Sequence, residues 1–174
     1  MAQDEIIQAI GLIALAAGIS SVQFKTRRGI LMAQLFASGL WFAHFGFLGA
    51  FTGAFLNAIG VLRTASFHRF KQSRYAGAVF WSVMVIVLLV GILTWNTAVS
   101  LLAISGMLLS TIALWQRDEQ RIRWLLLANA PLWFGYDLLI GSYAGMVNEI
   151  FFASSIVIAL MRYRRVRHRY KNAS

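Results

Sequence analysis

The sequence predicts an all-α membrane protein with seven transmembrane helices, and three observations lead to this fold class. The chain of 174 residues is 59% hydrophobic and only 13% charged, with a mean hydropathy of +0.68, whereas a soluble domain is about a quarter charged. Seven apolar segments approach the 20 or so residues that a helix needs to cross the hydrocarbon core. The 16 lysines and arginines lie on one set of junctions between these segments.

The seven apolar segments follow one another through short links. They are 6–24, 29–48, 50–67, 75–95, 97–115, 124–140 and 143–161. The links at Gly49, Asn96 and Gly141-Ser142 are so short that neighbouring helices should form antiparallel hairpins. The first segment follows Asp4 and Glu5, whereas a signal peptide starts with positive charge, so we expect it to remain as a helix.

The positive charges predict the orientation of the chain. Cations follow the first, third and fifth segments and fill the tail, 162–174, while the opposite junctions carry none. Because cytoplasmic loops are enriched in lysine and arginine, the N-terminus should lie outside and the tail in the cytoplasm. The net charge of +10 then reflects topology, so we expect no nucleic-acid partner and contact of the tail with anionic lipids.

A short pattern occurs twice at a constant separation of 92 residues. It is a Leu-Trp-Phe triplet followed by two glycines, at 40–42 with Gly49 and Gly53, then at 132–134 with Gly141 and Gly145. The repeat predicts a 3+1+3 arrangement: three helices in 6–67, a linker helix in 75–95 and three helices in 97–161. The two units would run parallel, related by an axis along the membrane normal. The first and fifth helices match more weakly.

Each tryptophan of the repeat is followed by a polar residue after 16 positions. Asn57 follows Trp41, and Glu149 follows Trp133. Each tryptophan precedes the outer glycine by eight residues, about 12 Å of helix rise, which is deeper than interfacial aromatic residues usually lie. These four residues therefore predict a binding site between the two repeats.

Two carboxylates fall inside predicted spans, where a charge costs about 2.5–3.5 kcal/mol on the insertion scale. Asp137 shares a helical face with Trp133, although it is close enough to the outer end for a solvated, interfacial role. Glu149 lies deeper, next to Asn148. It is a candidate for proton coupling, with Arg63 as the one cation near enough to the spans to neutralise it, and the alternative is a structural pair with an asparagine or a backbone group. Asn148 is a site candidate whose other reading is a hydrogen bond between helices.

His44 lies one turn beyond Trp41, and Tyr136 occupies the equivalent position of the second repeat. We expect both to line the outer end of the site, although a lone histidine is more often structural. The chain has no cysteine, and its three histidines lack metal-ligand spacing. We therefore expect neither a metal site nor a cofactor.

This arrangement resembles the SWEET sugar transporters, which have three helices, a linker helix and three helices. The Trp-to-Asn spacing is similar to that of SemiSWEETs, the dimerising half-size relatives, in which the tryptophan stacks on the sugar and the asparagine hydrogen-bonds it. In overall length and basic tail the chain is most similar to the YgjV-type proteins of the bacterial inner membrane, a branch of this PQ-loop-like superfamily. Unlike SWEETs, it has one proline, Pro131, and it has Glu149 where an asparagine is expected.

The resemblance implies a transporter that moves a small polar solute by alternating access of its two bundles. The alternative is a structural or adaptor protein of the inner membrane that docks partners through its basic tail. A second copy of the chain is a further candidate partner. We expect no enzyme, because no Ser/His/Asp, zinc-protease or paired-aspartate motif is present. A retinal protein is excluded because the lysines, Lys25, Lys71 and Lys171, all lie outside the spans.

Overall fold

The computed structural model is built from α-helices. It describes the backbone of residues 2–21, 27–70 and 72–171, and the side chains of 4–20, 35–67, 69–70, 72–118 and 120–161. Over these ranges the chain has seven helices and no strand, which confirms the all-α fold class. The helices are α1 (Ala2–Ser21), α2 (Arg27–Phe47), α3 (Phe51–Phe70), α4 (Ala76–Leu93), α5 (Ser100–Trp115), α6 (Glu119–Leu139) and α7 (Tyr143–Lys171).

The helix ends differ most from the predicted segments in α6 and α7. α6 begins five residues early, at Glu119, because the Asp118 carboxylate accepts the backbone N–H of Arg121 at 2.8 Å and caps the helix. α7 continues beyond the apolar segment to Lys171, so residues 162–171 of the basic tail are helical. Arginine and lysine are good helix formers, whereas the apolar pattern marks only the part that suits an apolar environment.

Two helices of the described chain are long and apolar enough to cross a membrane on their own. They are α4, Ala76–Leu93, and the first part of α7, Tyr143–Met161. Shorter apolar stretches occupy Leu35–Phe47 and Ser100–Trp115. Within the described residues the other predicted spans are shorter or more polar, so length and composition alone do not establish them.

Two tight turns join α2 to α3 and α6 to α7. Gly49 and Gly141 adopt φ values of +69° and +74°, in the left-handed region that glycine enters without a steric penalty. At each turn a backbone N–H reaches back five residues: Ala50 to Phe45 and Ser142 to Asp137, both at 2.8 Å. This is the Schellman ending of a helix, and it allows the chain to reverse direction within three residues.

The helices pack in a closed cycle of contacts. α1 packs against α2 and α7, α2 against α3, α3 against α5, α5 against α6, and α6 against α7. The remaining helix, α4, packs against α3 and α5. Six helices therefore surround the centre of the protein, and α4 covers one side of the ring.

The hydrophobic core lies between α2, α3, α4, α5 and α6. Leu56, Val87 and Ala103 are completely buried, and aromatic and aliphatic side chains from the neighbouring helices pack around them. In contrast, most of α4 is exposed, including Trp81 and Leu93. The polar residues considered next lie at the edges of this core, where helices from opposite ends of the chain meet.

Candidate functional site

The two tryptophans of the repeat belong to one row of aromatic rings. Trp41 stacks on Phe45, with ring centroids 5.7 Å apart, and Phe45 contacts the edge of Tyr136 at 6.1 Å. Tyr136 in turn contacts Trp133 at 5.8 Å. The row connects α2 to α6. The structure thus brings Trp41 and Trp133 into the same cluster, separated by two rings.

Trp133 is held against α5 by a close helix approach. A Cβ atom at Gly106 would lie only 2.8 Å from the indole Nε1 of Trp133, so the indole ring occupies the space that a larger residue would take. Both tryptophans are partly buried and pack against the hydrophobic core. Part of each indole surface therefore remains open to a contact.

His44 is completely buried, with 0% of its surface exposed. Its Nδ1 lies 2.8 Å from the carbonyl oxygen of Ile7, and its Nε2 lies 2.8 Å from the hydroxyl of Ser142. Since a carbonyl only accepts, Nδ1 carries the hydrogen, and in the neutral ring Nε2 accepts from Ser142. His44 therefore connects α2 to α1 and to the start of α7.

Tyr136 makes the corresponding connection between α6 and α3. Its side chain is 2% exposed, its oxygen accepts the backbone N–H of Gly53 at 2.9 Å, and its hydroxyl donates to the carbonyl of Ala50 at 3.3 Å. A Cβ atom at residue 53 would lie only 2.6 Å from that oxygen, and this residue is glycine. The structure therefore places both His44 and Tyr136 in buried, hydrogen-bonded contacts between helices.

A second pair of polar contacts closes the same end of the ring. Between α1 and α7, Gln8 donates to the Gly141 carbonyl at 2.8 Å and accepts from the backbone N–H of Ala144 at 3.4 Å. Between α3 and α5, the Thr52 hydroxyl lies 3.0 Å from that of Ser100 and donates to the Thr94 carbonyl at 2.6 Å. Sequence analysis did not identify these residues, because single uncharged polar side chains near helix ends are common.

Asp137 is 2% exposed and packs directly on Gly145, where no Cβ could fit beside the carboxyl group. Its Oδ1 has no hydrogen-bond partner among the described residues. Glu149 lies one turn beyond Gly145, on the same face of α7, and interacts electrostatically with Asp137. The two carboxyls therefore form a neighbouring pair between α6 and α7, at positions that disfavour a charge if these helices span the membrane.

The remaining predicted residues are half-buried. Asn57 lies one turn beyond Gly53 and so shares the face of α3 that packs on Tyr136. Asn148 donates to the Oε1 atom of Glu149 at 3.2 Å, so these adjacent side chains act together. Glu149 and Asn57 thus follow the two close-packed glycines of α7 and α3 by the same four residues.

Arg63 is a further buried polar residue whose surroundings sequence analysis did not predict. It is 8% exposed, and its Nη1 donates to Ser110 at 2.7 Å and to Thr111 at 3.2 Å, both on α5. Sequence analysis counted it among the topology-determining cations and considered it as a counter-charge for Glu149. Its position within the apolar segment of α3, seven residues before Phe70, is the signal that distinguishes it from the other cations.

Comparison with protein-family models gives a match over residues 5–167, to a family described as Imp-YgjV, bacterial inner membrane protein. The chain belongs to the Imp-YgjV family. No curated protein and no solved structure matches it. As an Imp-YgjV protein it is a bacterial inner membrane protein, which explains the exposed apolar surface of α4: Trp81 and Leu93 can contact lipid.

Proposed function

We propose that this Imp-YgjV protein is a transporter without enzymatic activity, which moves a small polar solute such as a sugar by alternating access. Two three-helix units, 6–67 and 97–161, would move about a central site formed by Trp41, Asn57, Trp133 and Glu149. The observation that carries the proposal is that equivalent residues of the two units make equivalent contacts across both interfaces between them.

The equivalence begins with the helix contacts. If α1 is exchanged with α5, α2 with α6 and α3 with α7, every pair of packed helices in the cycle becomes another pair that is also packed. The two interfaces between the units, α3 with α5 and α7 with α1, exchange with each other. A two-fold relation between parallel units predicts this pattern, and α4 then serves as the linker that makes the parallel orientation possible.

The equivalence extends to individual contacts. His44 contacts Ser142, and Tyr136 contacts Ala50. Tyr136 lies 92 positions after His44, and Ala50 lies 92 positions before Ser142. The pair Gln8–Ala144 and the pair Ser100–Thr52 are related by the same 92 positions. The two left-handed glycines, Gly49 and Gly141, share this separation too. A chance resemblance between two short motifs would not extend to contacts between different helices.

The chemistry of the central residues favours a polar ring-shaped solute. Trp41 and Trp133 offer flat apolar faces, which stack on sugar rings or other flat groups. Asn57, Asn148 and Glu149 offer hydrogen-bond donors and acceptors that are half-buried. The resemblance to SWEET transporters supports a sugar, whereas Glu149 in place of an asparagine would also suit a solute with several donors.

Uptake into proteoliposomes tests this proposal. Purified protein should accumulate or exchange at least one compound from a panel of labelled sugars, polyols and small amides, and Trp41→Ala and Trp133→Ala should each reduce uptake at least ten-fold. Trp81→Ala is the matched control, because Trp81 is 65% exposed on α4. If Trp81→Ala lowers uptake as much as the other two variants, or no compound is transported, the proposed site is wrong.

The proposed orientation has an independent test. A reporter that is active only in the cytoplasm should work when fused after Ser174, and a reporter active only in the periplasm should work before Met1. Deletion of 172–174 together with the basic helical extension, 162–171, tests the adaptor alternative. Transport by the shortened protein would show that partner docking through the tail is not its primary activity.

A further inference from the structure

We propose that Arg63 is a binding site for a phosphate group, located between α3 and α5. The proposal goes beyond solute transport, since it concerns a different part of the protein and needs no transported substrate. It rests on the hydrogen-bond geometry of one buried guanidinium group, on the absence of an acidic partner among the described residues, and on the second edge of that group, which has no hydrogen-bond partner among them.

One nitrogen of the guanidinium is fully occupied by α5. Nη1 donates to the hydroxyl of Ser110 at 2.7 Å and to that of Thr111 at 3.2 Å, and it lies 3.1 Å from the sulfur of Met107. The two hydroxyls donate in turn to the backbone carbonyl of Met107. These contacts fix the plane and the direction of the guanidinium, and they leave its positive charge uncompensated.

Among the described residues, the other edge of the guanidinium has no partner. Nε is buried without a hydrogen bond, and within the described chain no acceptor is bound to Nη2. Nε–H and one N–H of Nη2 point in parallel from the same side of the group. This is the edge with which arginine binds two oxygens of a phosphate or carboxylate at once.

Gly60 and Met107 are the neighbours of the Nη2 end of this edge. Nη2 lies 3.9 Å from the position that a Cβ would take at residue 60, and this residue is glycine, one turn before Arg63 on α3. Gly60 is only partly buried. A Cβ there would also lie 3.3 Å from the Cε atom of Met107, so a larger side chain would press on Met107 and cover Nη2.

A phosphate is the oxyanion that suits this position. No Asp or Glu forms an ion pair with Arg63 in the parts of the chain that the structure describes. Arg63 lies seven residues before the end of α3, and Ser110 five before the end of α5, which is within about 7–11 Å of both helix ends. Phospholipid headgroups and soluble phosphate present the same oxygens, and both are available at the cytoplasmic surface, where the proposed topology places these helix ends.

Thermal unfolding of the full-length protein in a phosphate-free, non-ionic detergent tests the proposal. In one arm inorganic phosphate is titrated at constant ionic strength, with chloride as the replaced anion. In the other arm phosphatidylglycerol is added to the micelles, with a neutral galactolipid as the phosphate-free match. We expect a saturable rise in Tm in at least one arm, because a ligand that binds only the folded state stabilises it.

Three variants connect the response to the unused edge. Arg63→Lys keeps the charge without the paired N–H groups and should weaken binding at least ten-fold. Gly60→Leu keeps the guanidinium and blocks Nη2, so it should have the same effect even if Arg63→Lys does not fold. Arg117→Lys, at an exposed arginine of the α5–α6 link, is the control and should change the affinity less than two-fold.

The alternative is that Arg63 only joins α3 to α5. The double variant Ser110→Ala, Thr111→Val removes the acceptors of Nη1 and leaves the open edge, so it should lower Tm without ligand and retain the saturable response. A response to phosphate alone identifies a soluble anion, and a response to phosphatidylglycerol alone identifies a lipid headgroup. The proposal is wrong if neither arm is saturable, if chloride or galactolipid acts equally, or if Gly60→Leu binds as the wild type does.

Discussion

The imidazole of His44 and the hydroxyl of Ser142 are joined by a hydrogen bond of 2.8 Å, although 98 residues separate them in the chain. Their equivalents 92 positions away, Tyr136 and Ala50, are also hydrogen-bonded, at 3.3 Å. Each contact joins the end of one hairpin helix to the turn of the other hairpin. The two hairpins α2–α3 and α6–α7 therefore contact each other through hydrogen bonds at positions that share the same 92-residue offset.

The bond between His44 and Ser142 should be measurable in a double-mutant cycle. With His44→Phe and Ser142→Ala, we expect a coupling free energy of about 0.5–1.5 kcal/mol, because that is the net contribution of a buried hydrogen bond. Thermal unfolding in detergent provides the measurement. Ser155→Ala replaces Ser142→Ala in the control cycle, since the Ser155 hydroxyl bonds within its own helix and should show no coupling.

Tyr136→Phe should destabilise the protein by about 1–3 kcal/mol, since it removes two hydrogen bonds and leaves the Gly53 N–H without the tyrosine oxygen. Tm values of purified protein give the comparison. Tyr143→Phe is the matched control, because that side chain is 65% exposed. An equal loss of stability in the two variants would contradict a structural role for the Tyr136 hydroxyl.

Gly53→Ala should lower the free energy of unfolding by about 1–3 kcal/mol, because the added methyl group would overlap the Tyr136 ring and hydroxyl. Gly39→Ala has no atom within 4 Å of its new methyl group. Since alanine favours helix by up to about 1 kcal/mol over glycine, this control should be neutral or stabilising. Opposite signs in the two unfolding experiments are the expected result.

Asp118 should make the stability of α6 depend on pH. The hydrogen bond from the Arg121 backbone N–H holds the pKa of Asp118 below its ordinary value. The stabilisation is therefore complete above the unfolded-state pKa of about 3.9 and is lost as the pH falls through the lower, folded-state pKa. Asp118→Asn keeps a capping oxygen without the titration.

The difference in Tm between wild type and Asp118→Asn should consequently be larger at pH 7 than at about pH 3. Glu5→Gln, at an exposed carboxylate of α1, controls for the general effect of removing a negative charge. A difference that does not change with pH would mean that the Asp118 carboxylate contributes nothing through its charge.

Glu149→Gln separates proton coupling from simple hydrogen bonding at the proposed transport site. Glutamine keeps the shape of the side chain and its bond to Asn148 but cannot exchange a proton. If the carboxyl couples transport to the proton gradient, the variant should lose pH-dependent accumulation and retain equilibrative exchange in proteoliposomes. Transport with unchanged pH dependence would assign Glu149 a hydrogen-bonding role, and Glu5→Gln should behave as the wild type in either case.

Much of the fold could be predicted from local features. The seven helices follow from apolar runs and polar breaks, and the turns at Gly49 and Gly141 follow from short glycine-containing links. The pairing of α1 with α5 was weak in the sequence because their side chains differ. In the structure Gln8 and Ser100, which lie 92 positions apart and differ in side-chain chemistry, each form a polar contact with another helix.

The sequence predicted which residues belong to the candidate site better than it predicted how they contact one another. Trp41 and Trp133 lie in one aromatic row, and Asp137 and Glu149 form a neighbouring pair. The burial of His44 and Tyr136 could not be predicted, since each bonds a backbone carbonyl or N–H group of another helix. Every residue has these backbone groups, so the sequence does not indicate which of them will be a partner.

The sequence by itself determined the all-helical fold, the number of helices and membership of a bacterial inner membrane family. These properties depend on composition and on the order of apolar segments, which are local quantities. Only the tertiary structure decided which polar groups meet: Arg63 bonds to Ser110 rather than to Glu149, and Asp137 is left with an unpartnered oxygen. The reason is that a buried polar group is stabilised by its geometry with atoms on other helices, and that geometry exists only after the helices have packed.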